Sequence, residues 1–208
     1  MQAPVNYIEN DNPFGPHARF YFTPHLEKDI LKLTARENGK KKFVYRSCNI
    51  AILGLVLKRV LKTETITNYL QRKIWTPLQM ENPGLWTVDH EGDGLERTWC
   101  CIAGTGRDFA RIALLYQHQG KWGNTQVISP EWIQKTLAPL FAGNLQIHYN
   151  YNWWLVPEKN AYMAIGKDGQ YAYNDAARKV TIIRLGNREG NLKRSEWVNL
   201  FVGIAQCF

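Results

Sequence analysis

The chain has 208 residues, 45% of them hydrophobic and 12% aromatic, with a formal net charge of +8. This composition supports a packed core and excludes disorder, and no apolar run reaches the roughly 18 residues a membrane span needs. The basic residues gather at Arg36–Lys42 and along helical stretches without a binding-module signature, so no nucleic-acid partner is expected.

Residues 1–24 are polar, aromatic and Pro-rich and lack the apolar core of a secretory signal. They read as loop, as if the chain were entered midway. The spacing of Leu26, Ile30, Leu31 and Leu33 predicts a short amphipathic helix over 25–36, followed by a charged turn at 37–42. Asn49 to Lys62 predicts the clearest helix, with Asn49 as its cap and a broad buried stripe of Ile50, Ile52, Leu53, Val56, Leu57, Val60 and Leu61. Thr65 to Trp75 predicts a second helix, closed by Pro77, and 82–97 reads as loop. Thr105 and Asp108 predict a capped helix start, with Gly120 at the far end. Ser129-Pro130-Glu131 marks another start. The pattern then changes. Tyr151–Val156, Ala161–Ile165, Gln170–Asn174 and Val180–Leu185 predict an antiparallel meander. Ser195 is expected to cap a last helix with Trp197, Leu200, Phe201 and Ile204 on its inner face. The fold class is α+β, helices on an antiparallel sheet, with a helical part over about 25–140 and a sheet with closing helix over about 150–208.

Four cysteines are present and no C-x-x-C pair occurs, so no zinc site is expected. A bridge between the adjacent Cys100 and Cys101 is not expected, because it would be strained.

Two stretches could carry chemistry. Tyr45 stands just ahead of the long helix, and a tyrosine serves as a base only where a cation favours its phenolate. Lys167 stands in Gly166-Lys-Asp-Gly-Gln170, between two predicted strands. There Gly169 would let a substrate approach the backbone, and the Gln170 N–H could face an oxyanion. Taken singly, Tyr45 also reads as an ordinary core or cap-adjacent tyrosine. Residues 167–170 equally read as a plain hairpin turn, since Asp-Gly is a strong hairpin signal.

The order of motifs joins the two. Phe43-Val-Tyr-Arg-Ser-Cys-Asn-Ile-Ala-Ile-Leu-Gly54, Tyr69-Leu-Gln-Arg-Lys-Ile-Trp-Thr-Pro-Leu-Gln-Met80, Trp86 with Asp89, Trp99–Arg111, Gly120–Gly123, Ile128–Ile133, Tyr151–Leu155 and Gly166–Tyr171 follow one another. In this the chain resembles the serine β-lactamase-like hydrolases, the group of class C β-lactamases, penicillin-binding-protein-like esterases and nylon-oligomer hydrolases. The resemblance implies acyl transfer on an amide or ester bond. It implies Tyr45 and Lys167 as catalytic proton-transfer and electrostatic residues, and Gln170 as oxyanion donor. Ser47 and Gly169 would bind substrate. No metal or organic cofactor is implied, and the resemblance suggests a secreted or periplasmic setting.

The family's S-x-x-K nucleophile motif is absent. The three serines, Ser47, Ser129 and Ser195, are followed three residues on by Ile50, Trp132 and Val198. The chain is therefore expected to be the C-terminal part of such a hydrolase, inactive alone, or else a non-catalytic ligand-binding remnant of the same fold. Its partners would be a small amide or ester substrate, a missing N-terminal segment, or a second copy. Gln79 stands where the family has glycine, and Gly104 and Gly106 where it prefers alanine.

Overall fold

The structure is a computed structural model that describes residues 1, 3–10, 12–36, 43–138, 148–156 and 160–208. The expected charged turn at 37–42 lies outside the described residues. The chain forms two compact units, Met1–Arg72 with Gly84–Ala103, and Lys73–Pro83 with Gly104–Phe208. No described helix is long and apolar enough to cross a membrane.

The first unit holds α1 (Pro16–Phe22), α2 (Leu26–Leu31), α3 (Ser47–Leu61), α4 (Ile66–Leu70) and the pair β1 (Leu85–Trp86) and β2 (Ile102–Ala103). Helix α1 corrects the expected loop: Pro16 takes the first helical position, where its missing N–H costs nothing, and Phe20 anchors the turn in the core. The core gathers Val5, Tyr7, Phe20, Leu26, Ile30, Cys48, Ala51, Leu55, Ile66 and Leu95. Asp89 ties this unit together, its two carboxylate oxygens accepting from Leu26 N and Leu95 N, both at 2.7 Å. Thr65 caps α4 by accepting from Asn68 N, and the following turn Gln71–Trp75 widens to π geometry rather than continuing the expected helix unbroken. The expected loop over 82–97 also carries β1 and a bridge between Val88 and Glu96.

Cys100 and Cys101 are bridged, against expectation. Cys101 takes φ +78°, and that left-handed step turns the backbone so that adjacent sulfurs meet. Cys48 is buried and free, and Cys207 is exposed and free.

The second unit is built on a five-stranded antiparallel sheet in the order β5-β6-β7-β8-β9, with β5 (His148–Asn150), β6 (Trp153–Val156), β7 (Ala161–Gly166), β8 (Gln170–Asp175) and β9 (Val180–Leu185). It adds α5 (Gly106–Gln117), the short hairpin β3 (Lys121–Trp122) and β4 (Thr125–Gln126), α6 (Pro130–Leu137) and α7 (Arg194–Ala205). Alternation along the strands separates two faces. Val156, Ala161, Met163, Tyr171 and Tyr173 pack under Val198, Phe201 and Ala205 of α7. Trp153, Leu155 and Tyr162 pack with Tyr116 of α5 and Leu137 of α6, and Tyr162 Oη donates to Ala113 O at 2.9 Å.

The start signals at Thr105 and Ser129 act as expected, each side chain accepting from the backbone N–H three residues on. Helix α7 begins two residues earlier than expected, with Lys193 at the cap and Glu196 accepting from Lys193 N at 2.6 Å. Its buried face is Val198, Phe201 and Ala205, while Leu200 and Ile204 are exposed. The rotation follows from Tyr171 and Tyr173, whose rings meet Phe201 at 5.3 and 5.8 Å.

Candidate functional site

The predicted site residues fall into two groups, one in each unit. The first is the lead-in to α3. Arg46 arrives extended at the N-cap position, and Tyr45 just before it is exposed, with 41% of its surface open. Helix α3 starts at Ser47, so Asn49 does not cap it; Asn49 lies within the first turn, buried, its Nδ2 without a partner among the described residues. The cap comes from Glu9. Its carboxylate accepts from Ser47 N and, at 2.9 Å, from Ser47 Oγ. A carboxylate at a helix N-terminus meets both the free N–H groups and the positive end of the helix dipole. Ser47 is therefore buried with its hydroxyl proton committed to Glu9.

The same segment anchors other titratable groups. Tyr7 Oη and His17 Nδ1 lie 2.9 Å apart, and burial, reinforced by Glu9, holds the Tyr7 phenol well above its usual range. Burial, again with Glu9, raises the Cys48 thiol to about 11. Cys48 therefore stays protonated near neutral pH and acts as a small apolar side chain.

The second group is the turn between β7 and β8. Gly166 pairs with Gln170, and Lys167, Asp168 and Gly169 form the loop. Asp168 (φ +60°) and Gly169 (φ +77°) both take left-handed geometry. Lys167 and Gln170 are exposed while Gly169 is buried. Gly169 O accepts from Gly186 N at 3.2 Å and from Arg184 Nη1. Arg184 also donates to Arg188 O at 3.0 Å and lies 4.2 Å over the Trp197 ring of α7. A Cβ on Gly169 would sit 2.7 Å from Arg188 O and collide with the Arg184 guanidinium. The glycine of this motif is thus required by close packing as well as by φ. The start of α5 lies at the same end of the sheet: a Cβ on Gly106 would meet Leu185, the pairing partner of Gln170, at 3.8 Å.

The structure therefore joins Lys167 and Gly169 in the β7–β8 turn with Gln170 at the start of β8, and places Tyr45 just ahead of α3 with Ser47 as its first residue. Among the described residues no group of three or more His, Cys, Asp and Glu could hold a metal ion. Glu9 and Arg184 escaped the sequence reading. Glu9 stands 38 positions before the residue it caps. Arg184 sits in a strand pattern that reads only as alternation.

The Beta-lactamase family model matches residues 8–202. The chain is similar to the structure of a candidate 6-aminohexanoate-dimer hydrolase from Bacillus anthracis (TM-score 0.84, 18% identity), covering 99% of this chain and 59% of that one. It is also similar to a penicillin-binding protein from Bacillus halodurans (TM-score 0.61, 15% identity, 84% of this chain and 59% of that one). A third similarity is to the octameric penicillin-binding protein homologue from Pyrococcus abyssi (TM-score 0.63, 16% identity, 87% of this chain and 48% of that one). No protein of curated function matches significantly. The chain belongs to the β-lactamase family of serine-hydrolase fold, and its α+β architecture is that of the family. It spans 59% of the length of the Bacillus anthracis protein.

Proposed function

We propose that these residues form the proton-transfer and electrostatic part of a serine hydrolase site acting on amide or ester bonds through an acyl-enzyme. The observation that carries the reading is the conjunction of family, motif order and one absence. Tyr45 precedes α3 and Lys167–Gln170 forms the β7–β8 turn, in a family chain of 208 residues that contains no S-x-x-K. Tyr45 would take the nucleophile's proton and return it to the leaving group, with Lys167 favouring the phenolate. The Gln170 N–H would face the developing oxyanion, while Ser47, buried against Glu9, and Gly169, packed against Arg184, would support the two motifs from behind. The serine and its lysine would come from outside these residues, which alone would not turn over substrate. Losing the nucleophile of such a site costs roughly a millionfold in rate. The absence of S-x-x-K also favours a second reading, a non-catalytic protein that binds a small amide or ester ligand in the retained site.

Both readings are tested by incubating the chain with a chromogenic cephalosporin, a p-nitrophenyl ester and a linear amide. The expected result is no turnover. Turnover abolished by Tyr45→Phe would overturn the inactivity. Saturable ligand binding without turnover, weakened by Lys167→Met, would select the second reading.

A further inference from the structure

The Cys100–Cys101 bridge lies where three supports of the first unit converge. Trp86 Nε1 donates to Cys100 O at 2.9 Å and to Arg97 O at 3.2 Å, and Thr87 N donates to Cys101 O at 3.3 Å. Cys101 Sγ lies 3.6 Å from Tyr21 Oη on α1. Just upstream, Thr98 Oγ1 donates to Ile50 O of α3 at 3.1 Å, and the Trp99 ring meets Phe20 at 5.2 Å. The bridge thus closes the turn through which β1, α1 and α3 are joined.

Two features separate this bridge from a stabilising staple. It links adjacent residues, so the loop it removes from the unfolded chain is minimal and its entropic effect on global stability is small. It also holds Cys101 at φ +78°, a region unfavourable to a non-glycine residue. Opening the ring frees that residue to leave the left-handed region. Both cysteines are half-buried, within reach of a small thiol.

We propose that Cys100–Cys101 is a reversible thiol–disulfide site, opened by small dithiols, whose closure holds the turn that braces α3. In the forward step a dithiol's thiolate attacks one sulfur. The Sγ–Sγ bond breaks, and the other sulfur leaves as thiolate and takes a proton. The reductant's second thiol then attacks the mixed disulfide, leaving two protein thiols and a cyclic disulfide of the reductant. Two electrons and two protons pass to the protein.

The native chain is treated with excess dithiothreitol without denaturant, freed of reductant, alkylated and weighed intact. Before reduction one label is expected, on Cys207, since Cys48 is buried. After reduction three are expected. Amide exchange at Trp86, Thr87, Ile102 and the first half of α3 should speed up at least tenfold, and return on reoxidation. Cys101→Gly, which tolerates positive φ without a bridge, should keep the protected pattern whether or not dithiol is present. One label before and after reduction, or three labels without dithiol, would overturn the site. Three labels with unchanged exchange would overturn the brace.

Discussion

At the scale of single residues, two carboxylates carry weight that their surroundings explain. Asp108 is fully buried and accepts from Thr105 Oγ1 and Glu81 N, each at 2.7 Å, and from Asn82 Nδ2 at 3.4 Å. Burial pushes its carboxyl upward, but these donors and the Arg111 charge outweigh it, and the group is held below its ordinary value. A carboxyl with a lowered folded pKa stabilises the fold above its unfolded value of about 4, and that contribution disappears as pH falls through the lower folded value. Asp108→Asn should therefore cost roughly 1–3 kcal/mol at pH 7. It should also shrink the drop in urea midpoint between pH 5 and pH 2. Parallel acid limbs in the two proteins would refute this. Glu9 is the second case. Glu9→Gln keeps shape but loses the charge at the start of α3, and should cost about 1 kcal/mol in urea unfolding. An unchanged midpoint would mean that α3 is capped by something else. The Asp108 contact was legible, because T-x-x-D is a local pattern. The Glu9 contact was not, because no spacing rule links an acid to a helix start 38 positions on.

At the scale of elements, the sequence is most legible where a helix or strand has both its start and its stop marked by near neighbours. Helix α5 with Thr105 and Gly120, α6 with Ser129-Pro130, and strands β7 to β9 with their turns all fall close to expectation. Helix α1 was missed although Gly15-Pro16 begins it, because a Pro-rich stretch also reads as loop. The inner face of α7 was misassigned because the rings beneath it, and not its own periodicity, decide its rotation. Helix α3 shows the same division at Gly54. Helix propensity says that Gly54→Ala should gain about 1 kcal/mol. Yet a Cβ there would lie 2.6 Å from Thr98 Cγ2, and Thr98 cannot swing away without losing its bond to Ile50 O. Overpacking of this kind costs roughly 1–3 kcal/mol. Gly54→Ala should therefore destabilise the chain in urea, and a raised midpoint would show that Thr98 yields freely.

At the scale of the whole molecule, the two stretches that carry the proposed site are legible as short motifs, whereas the chain's path is not. It leaves the first unit after Arg72 and returns at Gly84, with no break in composition to announce either crossing. The surface of α3 corrects an expectation, since part of the stripe read as buried is exposed. Leu53, Val56 and Val60 follow helical spacing on α3 and are 59%, 52% and 70% exposed. Val56 also borders a hollow of about 390 Å³ lined by Val5, Ile30, Leu33, Ile52 and Leu55. Contiguous apolar surface of this kind takes up apolar solutes. An anionic dye would be drawn to a chain of net charge +8 regardless of that surface, so the probe must be uncharged. The native chain should enhance the emission of a neutral solvatochromic dye. Val56→Lys with Val60→Lys should reduce that emission several-fold. Because both side chains face solvent, the urea midpoint should shift by no more than the roughly 0.5 kcal/mol typical of surface changes. Undiminished emission in the double variant would place the dye elsewhere. A collapse in stability would mean that these valines are packed in solution, against the exposure that motivates the test.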